Sequence, residues 1–267
     1  MNIIVFSKDR AMQLELFIRS FNKYVKNFDK YVINIIYTYS NDNFKLGYDK
    51  LKNMNYLNVN YLKETNFKQD IIQLFNSENK YSVFFVDDDI FKYPFDFYDN
   101  QMDIFEKNSD ILCRSLRLHP NLTYCYTMKM GMVRPNFLHN NIFVWKGQSA
   151  DFGYPMSVDG HIFKTKDILP LILNLNYTNP NSFESIMVNN TLNLPKMICY
   201  DKSIVVNNPC NKVQNYNNNH HGTVKSDYLN NKFLEGYIIS MNNIDGLENI
   251  SCHQEIEIIL EKNENIC

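Results

Sequence analysis

Val83-Phe84-Phe85-Val86 runs straight into Asp87-Asp88-Asp89. The four apolar residues close a predicted strand, Tyr81–Val86. Because the run is continuous rather than alternating, it reads as a strand covered on both faces. Three acids stop it. Working back towards the start, Asn66–Phe75 spaces Phe67, Ile71, Leu74 and Phe75 as one face of a helix. Leu57–Leu62 reads as a short strand, Gly47–Met54 as a helix and Tyr31–Tyr39 as a β-branched, aromatic strand. Ala11–Tyr24 places Leu14, Phe17, Ile18 and Phe21 on one helical face, and Ile3–Phe6 is another doubly covered strand. The order βαβαβαβ predicts a parallel, doubly wound sheet with ligands outside the C-terminal strand ends. Ser7–Arg10 and Asp87–Asp89 both stand at such ends and are expected to face one crevice.

In an extended chain alternate residues share a side, so Asp87 and Asp89 are expected to converge while Asp88 turns away. Two converging carboxylates repel unless a cation lies between them or one holds a proton. A hard divalent ion suits oxygen ligands and leaves positions for a diphosphate. The bland alternative is a solvated turn that ends the strand; the buried type of the strand favours metal binding.

The second half is less regular. Helices are expected at Phe97–Phe105, Thr165–Leu173, Phe183–Leu192 (with Asn181 and Ser182 as caps) and Tyr228–Leu234. Strands are expected at Ile111–Leu118, Ser157–Phe163, Tyr237–Met241 and Glu255–Leu260. Pro120–Phe137 is loop-rich, and Asn207–Gly222 is an exposed loop of low complexity. No repeat and no Pro- or Gly-rich linker divides the 267 residues, so a single domain is the simplest organisation.

Composition removes several function classes. A formal charge of −2 argues against a nucleic-acid partner held by electrostatics. Six cysteines without a C-x-x-C pair fit neither a disulfide scaffold nor a zinc module, and suit a reducing, cytoplasmic setting. No signal-like leader and no apolar run near the ~20 residues of a membrane helix is present, leaving peripheral membrane association open. About 40 asparagines are spread through periodic segments and are read as the background of an AT-rich coding sequence.

Phe84-Phe85-Val86-Asp87-Asp88-Asp89-Ile90 resembles the strand and DXD signature of GT-A glycosyltransferases. Ile4-Val5-Phe6-Ser7-Lys8-Asp9-Arg10 resembles the first strand and nucleotide loop of family 2-like members. Tyr154-Pro155-Met156-Ser157-Val158-Asp159-Gly160-His161-Ile162-Phe163 resembles the later strand that lines the donor-sugar and acceptor pocket. The resemblance covers residues 1–190. It implies an α/β, Rossmann-like mixed sheet flanked by helices, with a nucleotide-binding half (1–90) and an acceptor-binding half (91–267). It also implies a metal-dependent enzyme that moves a sugar from a nucleoside diphosphate donor to a glycan or lipid-linked acceptor, in surface polysaccharide or glycoconjugate synthesis.

On that pattern Ser7, Arg10, Tyr37 and Thr38 would contact the donor nucleotide, with Asp87, Asp88 and Gly160 nearby. Asp87 and Asp89 would hold Mn²⁺ or Mg²⁺, which stabilises the departing diphosphate. Glu184 matches the first acid of the family's "ED" motif and would be the base; Ser185 stands where the second acid is expected. A first-turn acid favoured by the helix dipole is the alternative for Glu184. Asp159 would bind donor-sugar hydroxyls or act as base, with Gly160 letting the sugar approach the backbone; a hairpin Asp-Gly is the alternative. His220, His221 or His253 could complete a metal site, and Arg117 could reach the pocket. Trp145, Phe152 and Tyr154 could form an acceptor platform, against the commoner core role of such rings. A sugar nucleotidyltransferase would share the nucleotide half, but Phe6–Ala11 lacks the glycines of its phosphate loop. A non-catalytic sugar- or nucleotide-binding module would not be expected to retain Asp87 and Asp89.

Overall fold

The computed structural model describes residues 1–213 and 220–263. The middle of the Asn-rich stretch (214–219) and Cys267 lie outside them. In chain order the elements are β1 (Asn2–Lys8), α1 (Ala11–Tyr24), β2 (Ile33–Thr38), α2 (Asp42–Asn53), β3 (Val59–Lys63), α3 (Phe67–Leu74) and β4 (Tyr81–Val86). They continue with β5 (Asp89–Phe91), α4 (Asn100–Lys107), β6 (Ile111–Ser115), β7 (Tyr124–Cys125), β8 (Met130–Gly131), β9 (Ile142–Val144), β10 (His161–Lys164) and α5 (Thr165–Asn174). The last are α6 (Pro180–Asn189), β11 (Lys196–Cys199), β12 (Val205–Asn207), α7 (Ser226–Leu234), β13 (Tyr237–Ile239) and β14 (Leu260–Lys262).

Eight strands form one mixed sheet in the order β3-β2-β1-β4-β10-β6-β11-β9, flanked by helices. The first four are parallel, as the βα alternation predicts. The continuous apolar runs of β1 and β4 follow from cover on both faces. Ile3, Val5, Val83 and Phe85 belong to a core shared with α1. Ile4, Phe6 and Phe84 belong to a second core with Phe67, Ile71, Ile168 and Phe183 from α3, α5 and α6. Burying one such side chain stabilises by roughly 1.5–3 kcal/mol, so burial on both faces of β1 and β4 anchors the sheet between its helices.

β10 breaks the parallel run, lying antiparallel between β4 and β6. Two consequences fix the site. β6 must point the same way as β4, and the start of β10 must lie beside the C-terminal ends of both. The expected strand Ser157–Phe163 is shorter than predicted because Gly160 turns the chain into it at φ +73°. The Gly160 N–H donates to the Phe84 carbonyl, and its carbonyl accepts from the Leu116 N–H.

Sugar access is therefore not what the missing side chain provides. A Cβ on Gly160 would stand 3.2 Å from Phe85 Cε1 and 3.5 Å from Leu116 Cβ. Gly160→Ala is expected to cost about 1–3 kcal/mol through the left-handed backbone and this contact, and to lower Tm by several degrees. An unchanged melting curve would sink that account.

Helix ends also differ from expectation. α2 begins at Asp42, because the Asn41 side chain accepts the Phe44 N–H. α6 begins at Pro180: Asn179 accepts the Ser182 N–H and Ser182 Oγ accepts the Asn179 N–H, a closed capping box. Asn181 and Ser182 are not the cap residue, and Glu184 is relieved of any capping role. β9 and β11, unforeseen in sequence, complete the far edge of the sheet. Tyr237–Ile239 forms the expected strand, but only Leu260–Lys262 pairs with it from the second segment.

Candidate functional site

β1, β2 and β4 all end at one cleft of about 610 Å³. Its walls include Ser7, Arg10, Asp87, Asp88, Asp159 and Glu184, together with His253 and Asn207. A hollow of about 630 Å³ lies at the opposite end of the sheet, around Asn2, Asn76 and Asn79. There the amides satisfy one another: Asn2 Nδ2 donates to the Asn76 carbonyl, and Asn79 Nδ2 donates to Asn2 Oδ1. That arrangement is structural, whereas the cleft gathers unlike charges.

Asp87 and Asp88 face the cleft as a pair, contrary to strict alternation. β4 ends at Val86 and the chain turns, so Asp89 rather than Asp88 points inward. Asp89 is fully buried: one carboxylate oxygen accepts the Val86 N–H (3.0 Å) and the other accepts from Asn207 Nδ2 (3.3 Å). Asn207 Nδ2 also donates to Asp88 Oδ1 at 2.9 Å. Burial, and then the charge of Asp159, raise the Asp89 pKa well above the ordinary carboxylate range.

Arg10 closes the pair. Its Nη1 donates to Asp87 Oδ1 (3.1 Å) and Asp88 Oδ2 (2.7 Å), while Nε and Nη2 donate to Asn211 Oδ1 and its carbonyl. Asp87 Oδ2 accepts the Lys8 N–H. Burial pushes the Asp87 carboxyl up to about 6 against the opposing pull of Arg10. Ser7 Oγ lies 2.7 Å from the Tyr48 hydroxyl at the floor.

A second cluster stands opposite. Buried Arg117, just beyond β6, donates to Asp159 Oδ2 (3.1 Å) and Asp151 Oδ1 (3.0 Å). His253 Nε2 lies 3.2 Å from Asp159 Oδ2. Burial opposes ionisation of Asp159, but His253 and Arg117 outweigh it and hold the pKa at about 2. His253 is shifted the other way: burial lowers its pKa, and Asp159 more than restores it. Asp159 thus adds stability above its ordinary 3.8 that is lost as pH falls towards 2. The His253 contribution is present at low pH and lost as pH rises through its elevated pKa.

Glu184 lines the same cleft as Asp159. It sits in the second turn of α6, where its Oε1 accepts the Val158 N–H at 3.1 Å. Burial, then the charge of Asp159, raise its pKa; the Val158 N–H and Arg117 pull the other way. A base must bind a proton readily, and Asp159, held near 2, does so poorly.

Several expected contacts are not made. Tyr37 turns away from the cleft into the layer beneath, its ring tilted against Tyr48 at 4.8 Å and its hydroxyl taking a hydrogen bond from Lys52 Nζ; Thr38 lines the cleft instead. Trp145 donates from Nε1 to the Leu194 carbonyl, and Phe152 is fully buried against Phe143. Neither lines the cleft. Tyr154 packs beside Glu184. His220 and His221 reach the rim, with the His220 ring tilted against Tyr126 at 4.6 Å. Asn207 and Asn211 are the site residues that sequence reasoning missed. They lie in an Asn-rich stretch, and nothing in the local pattern separates them from their neighbours.

Among the described residues, no group of three or more His, Cys, Asp or Glu side chains is arranged to hold a metal ion alone. The donor chemistry nevertheless suits a hard cation. Asp87, Asp88, Asp159 and Glu184 bring carboxylate oxygens to the cleft wall, among the cations Lys8, Arg10 and Lys212. Mg²⁺-type sites commonly use one or two carboxylates and complete the shell with substrate phosphate and water.

No family model matches the chain. Over 192 residues, 64% of its length, it is 31% identical to the bifunctional glycosyltransferase pgtA of Dictyostelium discoideum. The match spans 24% of that protein, so the chain corresponds to about a quarter of its curated relative. Among solved structures, S. aureus TarS aligns with a TM-score of 0.47 and 13% identity over 77% of this chain and 36% of TarS. A TarS fragment in complex with UDP-GlcNAc gives 0.42 and 12% identity over 77% of this chain and 58% of the fragment. What this chain shares with pgtA, at a level that carries an argument, is sequence similarity over its larger part.

Proposed function

We propose that the chain is a glycosyltransferase that moves a sugar from a nucleoside diphosphate donor to a hydroxyl of a glycan or lipid-linked acceptor. The observation that carries this reading is one cleft with a charge-neutralising end and a proton-accepting end. Arg10 with Asp87 and Asp88 forms the first, and Glu184 beside Asp159 forms the second. Similarity to a glycosyltransferase over 192 residues supports it independently.

In this reading residues 1–90 hold the nucleotide and 91–267 the acceptor. Ser7 and Thr38 border the nucleoside. Arg10 trades contacts with Asn211 for the diphosphate, for which its planar fork is well shaped. Asp87 and Asp88, rather than Asp87 and Asp89, would hold Mn²⁺ or Mg²⁺; the ion would supply charge to the departing diphosphate. Asp89 supports the turn from below. Arg117 and His253 keep Asp159 ionised and oriented towards the sugar hydroxyls.

Glu184 takes the acceptor proton as the acceptor oxygen bonds to the sugar C1. The bond from C1 to the phosphate oxygen breaks, and its electron pair leaves with the diphosphate. Positioning and preorganised charge supply most of such a rate enhancement.

The test is incubation with a panel of nucleoside diphosphate sugars and Mn²⁺ or Mg²⁺, reading release of the diphosphate. One donor is expected to be slowly hydrolysed. The matching diphosphate with metal should raise Tm more than either alone, by the mass-action gain of a ligand that binds only the folded state. Absence of hydrolysis across the panel, together with no metal-linked shift in Tm, would overturn the reading.

A further inference from the structure

The stretch from Ile111 to Ala150 contains no Asp or Glu, though the chain as a whole is slightly acidic. Its middle is the hairpin β7–β8 and the segment after it. One side is fastened down. Cys125 and Met132 are buried, the Met132 N–H donates to the Thr123 carbonyl, and the Thr123 and Tyr124 N–H groups donate to the Ile250 carbonyl. The other side faces outward. Met128 is 60% exposed and Val133 77%, with the neighbouring Ile250 also exposed. Lys129, at the hairpin tip with φ +52°, and Arg134 are exposed among them. Beside the hairpin the half-exposed Glu255 accepts from the Tyr126 hydroxyl, and on the fastened side Asp151 lies against Cys125.

Single exposed apolar residues need no explanation. Unbranched and β-branched apolar tips interleaved with Lys129 and Arg134, on a stretch of chain without acids, are different. They complement a surface that is apolar within and anionic at its face. The hairpin also continues into the cleft, since Thr127 lines its wall. We propose that this hairpin docks the protein on an anionic lipid bilayer, with Met128 and Val133 entering the interface and Lys129 and Arg134 at headgroup level. The cleft would then open beside the membrane. This supplies a surface for the lipid-linked acceptor class in the functional proposal, but membrane binding itself does not depend on that proposal.

The experiment is co-sedimentation of the full chain with phosphatidylcholine vesicles, with and without phosphatidylserine, at two salt concentrations. Binding is expected only to the phosphatidylserine vesicles and should weaken with salt. One Lys or Arg near an anionic surface strengthens binding about fivefold. Lys129→Glu with Arg134→Glu should therefore weaken it by more than about 25-fold. Val133→Asp should abolish it while leaving Tm unchanged.

Failure to bind, equal binding to neutral vesicles, or binding retained in both variants would overturn the proposal. So would a concentration-dependent dimer that Val133→Asp dissolves without any vesicle binding, which would assign the patch to a second copy of the chain. Donor hydrolysis is read separately, so its failure and that of vesicle binding are distinguishable.

Discussion

Glu184→Gln is expected to lower turnover by about 10²–10⁴-fold while leaving donor binding intact. The substitution keeps the shape of the side chain and its acceptor for the Val158 N–H, and removes only the ability to take a proton. The raised pKa gives the prediction a sign. Activity should fall as pH drops through the Glu184 value, and that acid limb should lie above the ordinary range of glutamate. Asp159→Asn, by contrast, should impair sugar binding and release His253 and Arg117 from their shared partner, raising KM as well as lowering kcat. Initial rates at saturating donor, with binding measured by calorimetry, separate the two. Unchanged turnover in Glu184→Gln would move the base elsewhere.

Arg10→Ala is the second large effect. Asp87 and Asp88 would be left nearly buried without their cation, and breaking such a pair costs about 3–5 kcal/mol. A steep fall in the denaturant midpoint is expected, with loss of diphosphate binding. Adding Asp88→Asn should recover part of the stability, because one uncompensated charge is removed; the double-mutant cycle measures the coupling directly. Divalent metal should stabilise Arg10→Ala more than the unaltered protein if Asp87 and Asp88 hold the ion. Equal stabilisation of both would argue that the ion binds elsewhere.

The parallel half of the sheet was legible because burial on both faces writes itself locally. Ile3–Phe6 and Tyr81–Val86 are apolar without alternation, and only a covered strand tolerates that. Helix starts were less legible. Asn41 and Asn179 cap their helices, but one asparagine among about 40 is a faint signal in this composition. The site was legible as a set of acids and an arginine at strand ends. Its pairing was not, because a turn after Val86 reverses which of Asp88 and Asp89 faces the cleft.

Local sequence was sufficient for the strand and helix pattern of residues 1–90 and for a concentration of charge at Asp87–Asp89 and Arg10. These depend on periodicity and on chain-local chemistry, which are present before folding. Contacts between distant segments belong to the folded chain alone. Asn207 reaches Asp88 and Asp89 from 118 or more positions away and Asn211 reaches Arg10 from 201, and Arg117, Asp159 and His253 meet where β10 runs antiparallel between β4 and β6. No spacing in the sequence encodes that reversal. It follows from how two covered faces and one glycine turn close the sheet, and it brings Glu184 and Asp159 to the same cleft as Arg10.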